Sequence, residues 1–180
     1  MWEWLQGLSG GAATFVGSFT GSAIGLVAIL IGALFNAHLN RRRDDEVRKK
    51  EMRAVAAALK AELAGRSSSL LDNAKQLEKL QGDSFVVPDI AQSIRVMTDL
   101  TSKLGLLDEN TIEIVINAYV VIEQYCDRLI LDGGKLMDSL PGNRRSVLMD
   151  ARLAPRVKGA NLGVNDAIQK AIKKLDAYLL

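Results

Sequence analysis

The sequence predicts an all-α protein in which one N-terminal transmembrane helix continues into a cytoplasmic antiparallel helical bundle. Three observations carry this class. Between Trp4 and Asn40 there is no Asp, Glu, Lys or Arg. Between Gly32 and Gly65 there is no Gly and no Pro, so nothing interrupts a helix that leaves the apolar stretch. Beyond that, apolar residues recur at helical spacing between short breaks.

The apolar stretch comes first. Phe15 to Leu34 reads FVGSFTGSAIGLVAILIGAL. A run of about 20 apolar or small residues crosses a hydrocarbon core of roughly 30 Å. A helix is the open-ended structure that satisfies its own backbone polar groups there. The expected division is a short extracytoplasmic segment over 1–10, a transmembrane helix over 11–37, a basic juxtamembrane helix over 38–64 and a cytoplasmic helical bundle over 65–180. A cleaved signal peptide would need a basic leader, and Glu3 is the one charged side chain among the first ten residues. Trp2 and Trp4 suit the headgroup level.

The flanks predict the orientation. No Lys or Arg precedes the span, whereas Arg41, Arg42, Arg43, Arg48, Lys49 and Lys50 follow it. The positive-inside rule then places the C-terminal side in the cytoplasm. Residues 41–53 hold seven basic and four acidic side chains, net +3. That suits attraction to anionic lipid headgroups, with Asp44–Arg48 and Asp45–Lys49 spaced for ion pairing along the helix. Nucleic acid is not an expected partner, because the cluster lacks interleaved aromatics. His38, at the exit of the span, reads as an interfacial polar residue.

Gly17, Gly21 and Gly25 recur at spacing four, and Ala28 and Gly32 extend the row. Small residues in such a row admit close approach of a second helix in lipid. The expected partner is another copy of the chain or another membrane protein.

The bundle follows. Val55, Leu59, Leu63, Leu70, Ala74 and Leu77 form one stripe, with a bend expected at Gly65 and Ser67–Ser69. Gly82–Ser84 ends that helix, and Pro88 is expected to open the next at its first position. Gly105 is expected to close it as a C-terminal cap. Asp108 caps the following helix, with Leu107 and Ile112 as a hydrophobic staple. From Glu109 to about Leu131 apolar residues occupy several faces, so this helix is central. Segment 132–160 reads as loop with a short helix near 145–153, and a last helix runs from about Leu162 or Asn165, with Val164, Ile168, Ala171, Ile172, Leu175 and Leu179 facing the core. Arg144, Arg145, Arg152, Arg156 and Lys158 form a basic patch that could meet an acidic ligand.

Chemistry is conspicuous by what it lacks. One Cys (Cys126) and one His (His38) exclude an intrachain disulfide and leave no Cys/His zinc site or triad. There is no P-loop, GxGxxG, HExxH, GxSxG or EF-hand frame, and no Glu-x-x-His pair for a di-iron bundle. Cys126 falls on the stripe of the central helix and reads as a small buried hydrophobe. No cofactor or metal is expected. The plan of one span, a basic cluster and helices joined by the LGLL corner is similar to bacterial membrane proteins in general, which implies the inner membrane. The functional expectation is a non-enzymatic oligomeric scaffold, adaptor or accessory subunit of a membrane assembly. The alternative is a small pore-former of holin-like or toxic-effector type, with Thr14, Ser18, Thr20 and Ser22 lining a wet path.

Overall fold

The computed structural model describes residues 10–92, 94–140 and 144–180; the side chains of residues 12, 13, 138–140 and 144 lie outside that description. The protein is mostly helical. Helix α1 is Gly10–Glu78 and strand β1 is Ser84–Pro88. A short α2, Val96–Leu100, runs into a 3-10 turn at Thr101–Leu106. Helix α3 is Glu109–Leu131, β2 is Lys135–Leu140 and β3 is Arg144–Asp150. A 3-10 turn at Ala151–Leu153 leads into α4, Ala154–Asp176. The chain divides into two units, Met1–Arg48 and Lys49–Leu180.

In the first unit α1 stands without tertiary cover. Every described side chain from 14 to 48 is exposed except half-buried Val16. The interfacial reading of Trp2 and Trp4 lies outside the described residues.

The second unit has a single core. Val55, Leu59, Leu63, Leu70, Ala74 and Leu77 of α1 are all buried, as the spacing predicts. They meet Val115, Tyr119, Ile122, Cys126 and Leu129 of α3, and Val164, Ile168, Ala171 and Leu175 of α4. Helix α1 does not break at Gly65, because Leu63, Arg66, Ser67 and Leu70 are buried on both sides of it and that burial outweighs the roughly 1 kcal/mol helix penalty of glycine. Helix α3 begins and ends where the pattern places it. The Asp108 carboxylate accepts from the Thr111 N–H at 3.0 Å, an N-cap. Leu107 is buried, and Ile112 packs against the core.

The all-helical expectation fails in one place. A three-stranded antiparallel sheet, ordered β1-β3-β2, completes the unit. Pro88 does not open a helix: it ends β1, an edge strand, where its missing N–H leaves no broken ladder. Phe85 and Val87 alternate inward, a period of two too short to stand out from sequence. The short helix expected near 145–153 is instead β3, whose Val147 and Met149 are buried at the sheet centre. Gly105 lies inside the 3-10 turn rather than capping a helix. Helix α4 starts earlier than expected, with Pro155 in its first turn. Gly159 and Gly163 are tolerated within it because Val157, Asn161 and Val164 are buried on the opposite face. Leu179 lies beyond the helix and is exposed rather than in the core.

The turn out of α3 explains the glycine pair. The Gly133 N–H donates to Ile130 O and the Gly134 N–H to Leu129 O, both at 3.0 Å, the Schellman pattern. Gly133 has φ of 102°, which L side chains avoid. At Gly134 a Cβ would strike Val147 and Met149 and come within 2.8 Å of Leu129 O. Helix α3 therefore packs directly on the sheet only because that position has no side chain.

Candidate functional site

Among the described residues, one helix is long and apolar enough to cross a membrane. Eleven large apolar side chains between Phe15 and Leu39 are solvent-exposed, from 46% at Leu39 to 72% at Phe15 and Leu34. Phe15 and Phe19 stack with ring centroids 6.5 Å apart. The hydroxyls of Thr14 and Thr20 donate to Gly10 O and Val16 O of their own helix. Gly17, Gly21, Gly25 and Gly32 have no atom within 4 Å of where a Cβ would sit, and Ala28 is likewise exposed. The row expected to pack is thus an open face of the chain.

Arg41, Arg42, Arg43 and Arg48 are exposed on the continuing helix, as are Lys49 and Lys50 at the start of the second unit. The ion pairs expected for Asp44–Arg48 and Asp45–Lys49 do not close among the described residues. At the helix surface such pairs contribute only a few tenths of a kcal/mol.

The basic residues 144–158 do not form one open patch. Arg152 holds Asp150 at 2.8 Å, Arg156 holds Asp132 at 2.7 Å, and Lys158 holds Glu78 at 2.6 Å. The Arg152 fork keeps the Asp150 carboxyl at about 2, through side-chain and then backbone hydrogen bonds. Arg145 is exposed on β3, and its N–H donates to Gln92 at 2.8 Å; the side chain of Arg144 lies outside the described residues. Three of the five charges are thus answered within the chain. Cys126 is 6% exposed, and burial pushes its thiol up, so it is poorly nucleophilic. Among the described residues no group of three His, Cys, Asp or Glu side chains converges.

The strongest polar site is one that sequence patterns do not reveal. Glu62 lies on α1 beside the buried stripe, with its side chain 8% exposed. Its carboxylate accepts the N–H groups of Arg95 at 2.9 Å and of Val96 and Met97 at 3.2 Å, and the Tyr119 hydroxyl at 2.7 Å. Burial pushes this carboxyl up, but the four donors outweigh it and hold it below the usual carboxylate range. Arg66, one turn on, sits 3.8 Å from Glu62 and donates to Ile90 O. One charged pair on α1 therefore fastens Ile90, Arg95, Val96 and Met97, and Tyr119 of α3. The only sequence signal was a Glu and an Arg four apart beside an apolar stripe, a pattern that exposed helices share. Ser67 bonds Asn165 at 2.6 Å, and Asn161 bonds Asn73 at 2.7 Å, so α1 and α4 are also joined by buried polar contacts. These contacts tie elements of the helical unit to one another.

The second unit also carries a shallow trough of about 710 Å³ over α3 and α4. Its lining includes Ile114, Gly163 and Ala167 together with Asp166, Lys170, Lys173 and Lys174.

No protein-family model, curated protein or solved structure matches the chain. Its function is therefore argued from its own residues.

Proposed function

We propose that the chain is a non-enzymatic, single-pass membrane protein that acts as an oligomeric scaffold, adaptor or accessory subunit of a membrane assembly. The observation that carries this reading is the uncovered apolar segment. Eleven large apolar side chains there are exposed. At about 1.5–3 kcal/mol for each one fully buried, leaving them in water forgoes on the order of 20 kcal/mol. A whole domain is stable by only about 5–15 kcal/mol. A bilayer removes that cost without any protein partner. The span covers about residues 11–37, and the arginines from Arg41 onward hold the C-terminal side in the cytoplasm of a bacterial cell, against anionic headgroups.

The open row at Gly17, Gly21, Gly25, Ala28 and Gly32 supports contact with another span. A pore is less well supported: Thr14 and Thr20 already donate to their own helix, and no charged side chain marks an ion path between Trp4 and Asn40.

The test is fractionation and assembly of the full chain. The protein should pellet with membranes through alkaline carbonate and dissolve in mild detergent as an oligomer or complex. Gly21→Leu and Gly25→Leu should reduce that assembly and leave membrane insertion intact. Unchanged assembly in both variants removes the glycine face from the account. Collapse of the membrane potential on expression supports the pore instead.

A further inference from the structure

The outward face of α3 carries exposed acidic side chains, and that of α4 carries exposed lysines together with Asp166, which Lys170 holds. On α3, Ile116 and Val120 remain 40% and 38% exposed, one turn apart. Glu113 and Glu123 stand exposed on either side of them. On α4, Gly163 and Ala167 line the trough, and nothing lies within 4 Å of a Cβ built at Gly163. Lys173 stands exposed at its edge. None of Glu113, Glu123 or Lys173 is in an ion pair among the described residues.

The two helices run antiparallel, because Tyr178 bonds Asp108 at one end and Tyr125 bonds Asn161 toward the other. Glu113 is therefore level with Lys173, and Ile116 and Val120 are level with residues 166–170. A two-fold axis parallel to the helices lays α3 of one copy over α4 of another. Such an axis keeps levels unchanged, so it sets Glu113 of each copy against Lys173 of the other and the Ile116–Val120 pair against the 166–170 level of α4, where Ala167 lines the trough. Two helices of 23 residues, about 35 Å long and about 20 Å across together, present about 700 Å² per copy. That approaches the roughly 800 Å² per partner of a stable interface.

We infer that the α3–α4 face is a self-docking surface whose occupant is the α3–α4 face of a second copy, paired through Glu113 and Lys173. This deepens the self-association proposed above and rests on it, but it places a contact in the helical unit rather than in the span.

The test uses the full chain in mild detergent, with two differently tagged forms co-expressed, and reads co-purification and oligomer mass. Glu113→Lys alone and Lys173→Glu alone should each weaken self-association by about tenfold or more, since like charges then meet twice. Co-expressing the two variants should restore it, because every contact across the axis is again Lys against Glu. Pairing within one chain cannot produce that rescue. Thermal melts confirm that both variants fold. Wild-type-like association of the single variants, or failure of the mixture to recover, overturns the inference; so does release of a different protein with self-association unchanged. If Gly21→Leu lowers assembly while the charge variants do not, the membrane reading stands and this one falls. If the charge pair behaves as stated while both glycine variants are neutral, this interface stands and the glycine row falls.

Discussion

Helix α1 has an uncovered part and a covered part. In its first part Ile29, Leu30 and Leu34 are 54–72% exposed, whereas in its later part Leu59 and Leu63 are fully buried. The residue types are the same; their arrangement is not. From Phe15 to Leu34 apolar and small residues surround the helix, and the polar atoms there are hydroxyls bonded back to the backbone or left at its side. From Val55 to Leu77 the buried apolar residues keep to one stripe while Lys60, Asp72 and Lys75 take other faces. A helix apolar all round asks for lipid or complete cover; a striped one asks for a core. The contrast can be broken by exchanging the demands of the two stretches.

The largest effect is expected from charge in the first stretch. Ile29→Arg with Leu30→Arg adds about 2.5–3.5 kcal/mol for each arginine near a helix centre in the membrane. The double variant should fail to insert, read as loss from the carbonate-resistant pellet. The same pair at Lys60 and Lys75, positions that already carry charge, should leave insertion unchanged.

Truncation sharpens the comparison next. Leu63→Ala removes a fully buried side chain and should cost about 2–5 kcal/mol of the helical unit's stability. Leu34→Ala, on the uncovered stretch, should leave that unit's melting temperature in detergent where it is. Equal shifts from both would mean that Leu34 is packed against protein.

A smaller loss is expected at the glycine pair. Gly134→Ala forces a methyl toward Val147, Met149 and Leu129 O and should cost about 1–3 kcal/mol as overpacking. Gly163→Ala, with open space at its Cβ, should be neutral or stabilising by denaturant unfolding.

The finest distinction concerns acid. The folded state holds the Glu62 carboxyl below its ordinary value. Its contribution is therefore full above the unfolded carboxylate range of about 4 and is lost as pH falls through the folded value. Stability of the helical unit should drop with acidification below about pH 4. Glu62→Gln should flatten part of that slope and lower stability at pH 7 by about 1–3 kcal/mol. Asp108, held at about 2 by the Tyr178 hydroxyl and by Thr111, adds to the same slope, so Glu62→Gln should remove only part of it.

Helical readings held where spacing is long and caps are explicit. Asp108, Leu107 and the stripe from Ile112 to Leu129 define α3, and the stripe from Val55 to Leu77 defines the buried face of α1. They failed where the signal is short. The alternation in Ser84–Pro88 covers five residues, and Pro88 belongs equally to a helix start and a strand edge until the partner strand is known. Segment 144–153 contains no strong turn residue of its own, and its strand character comes from pairing with β1 and β2 across long sequence distances. The uncovered span and basic cluster were legible because charge, length and order are sequence properties. The Glu62 anchor was not, because its donors are main-chain N–H groups more than thirty residues away. The Glu113–Lys173 match likewise needs the antiparallel seating of α3 and α4.

The most direct test of the central claim is thiol accessibility in intact cells or inverted vesicles. Cys126 is buried and gives little background, so single cysteines at Val27 and Val47 can be compared with a water-soluble, membrane-impermeant maleimide. Val27→Cys should resist labelling from either side until detergent is added, and Val47→Cys should label from the cytoplasmic face alone. Rapid labelling of Val27→Cys without detergent would show that the glycine-containing segment meets water, and would contradict the account.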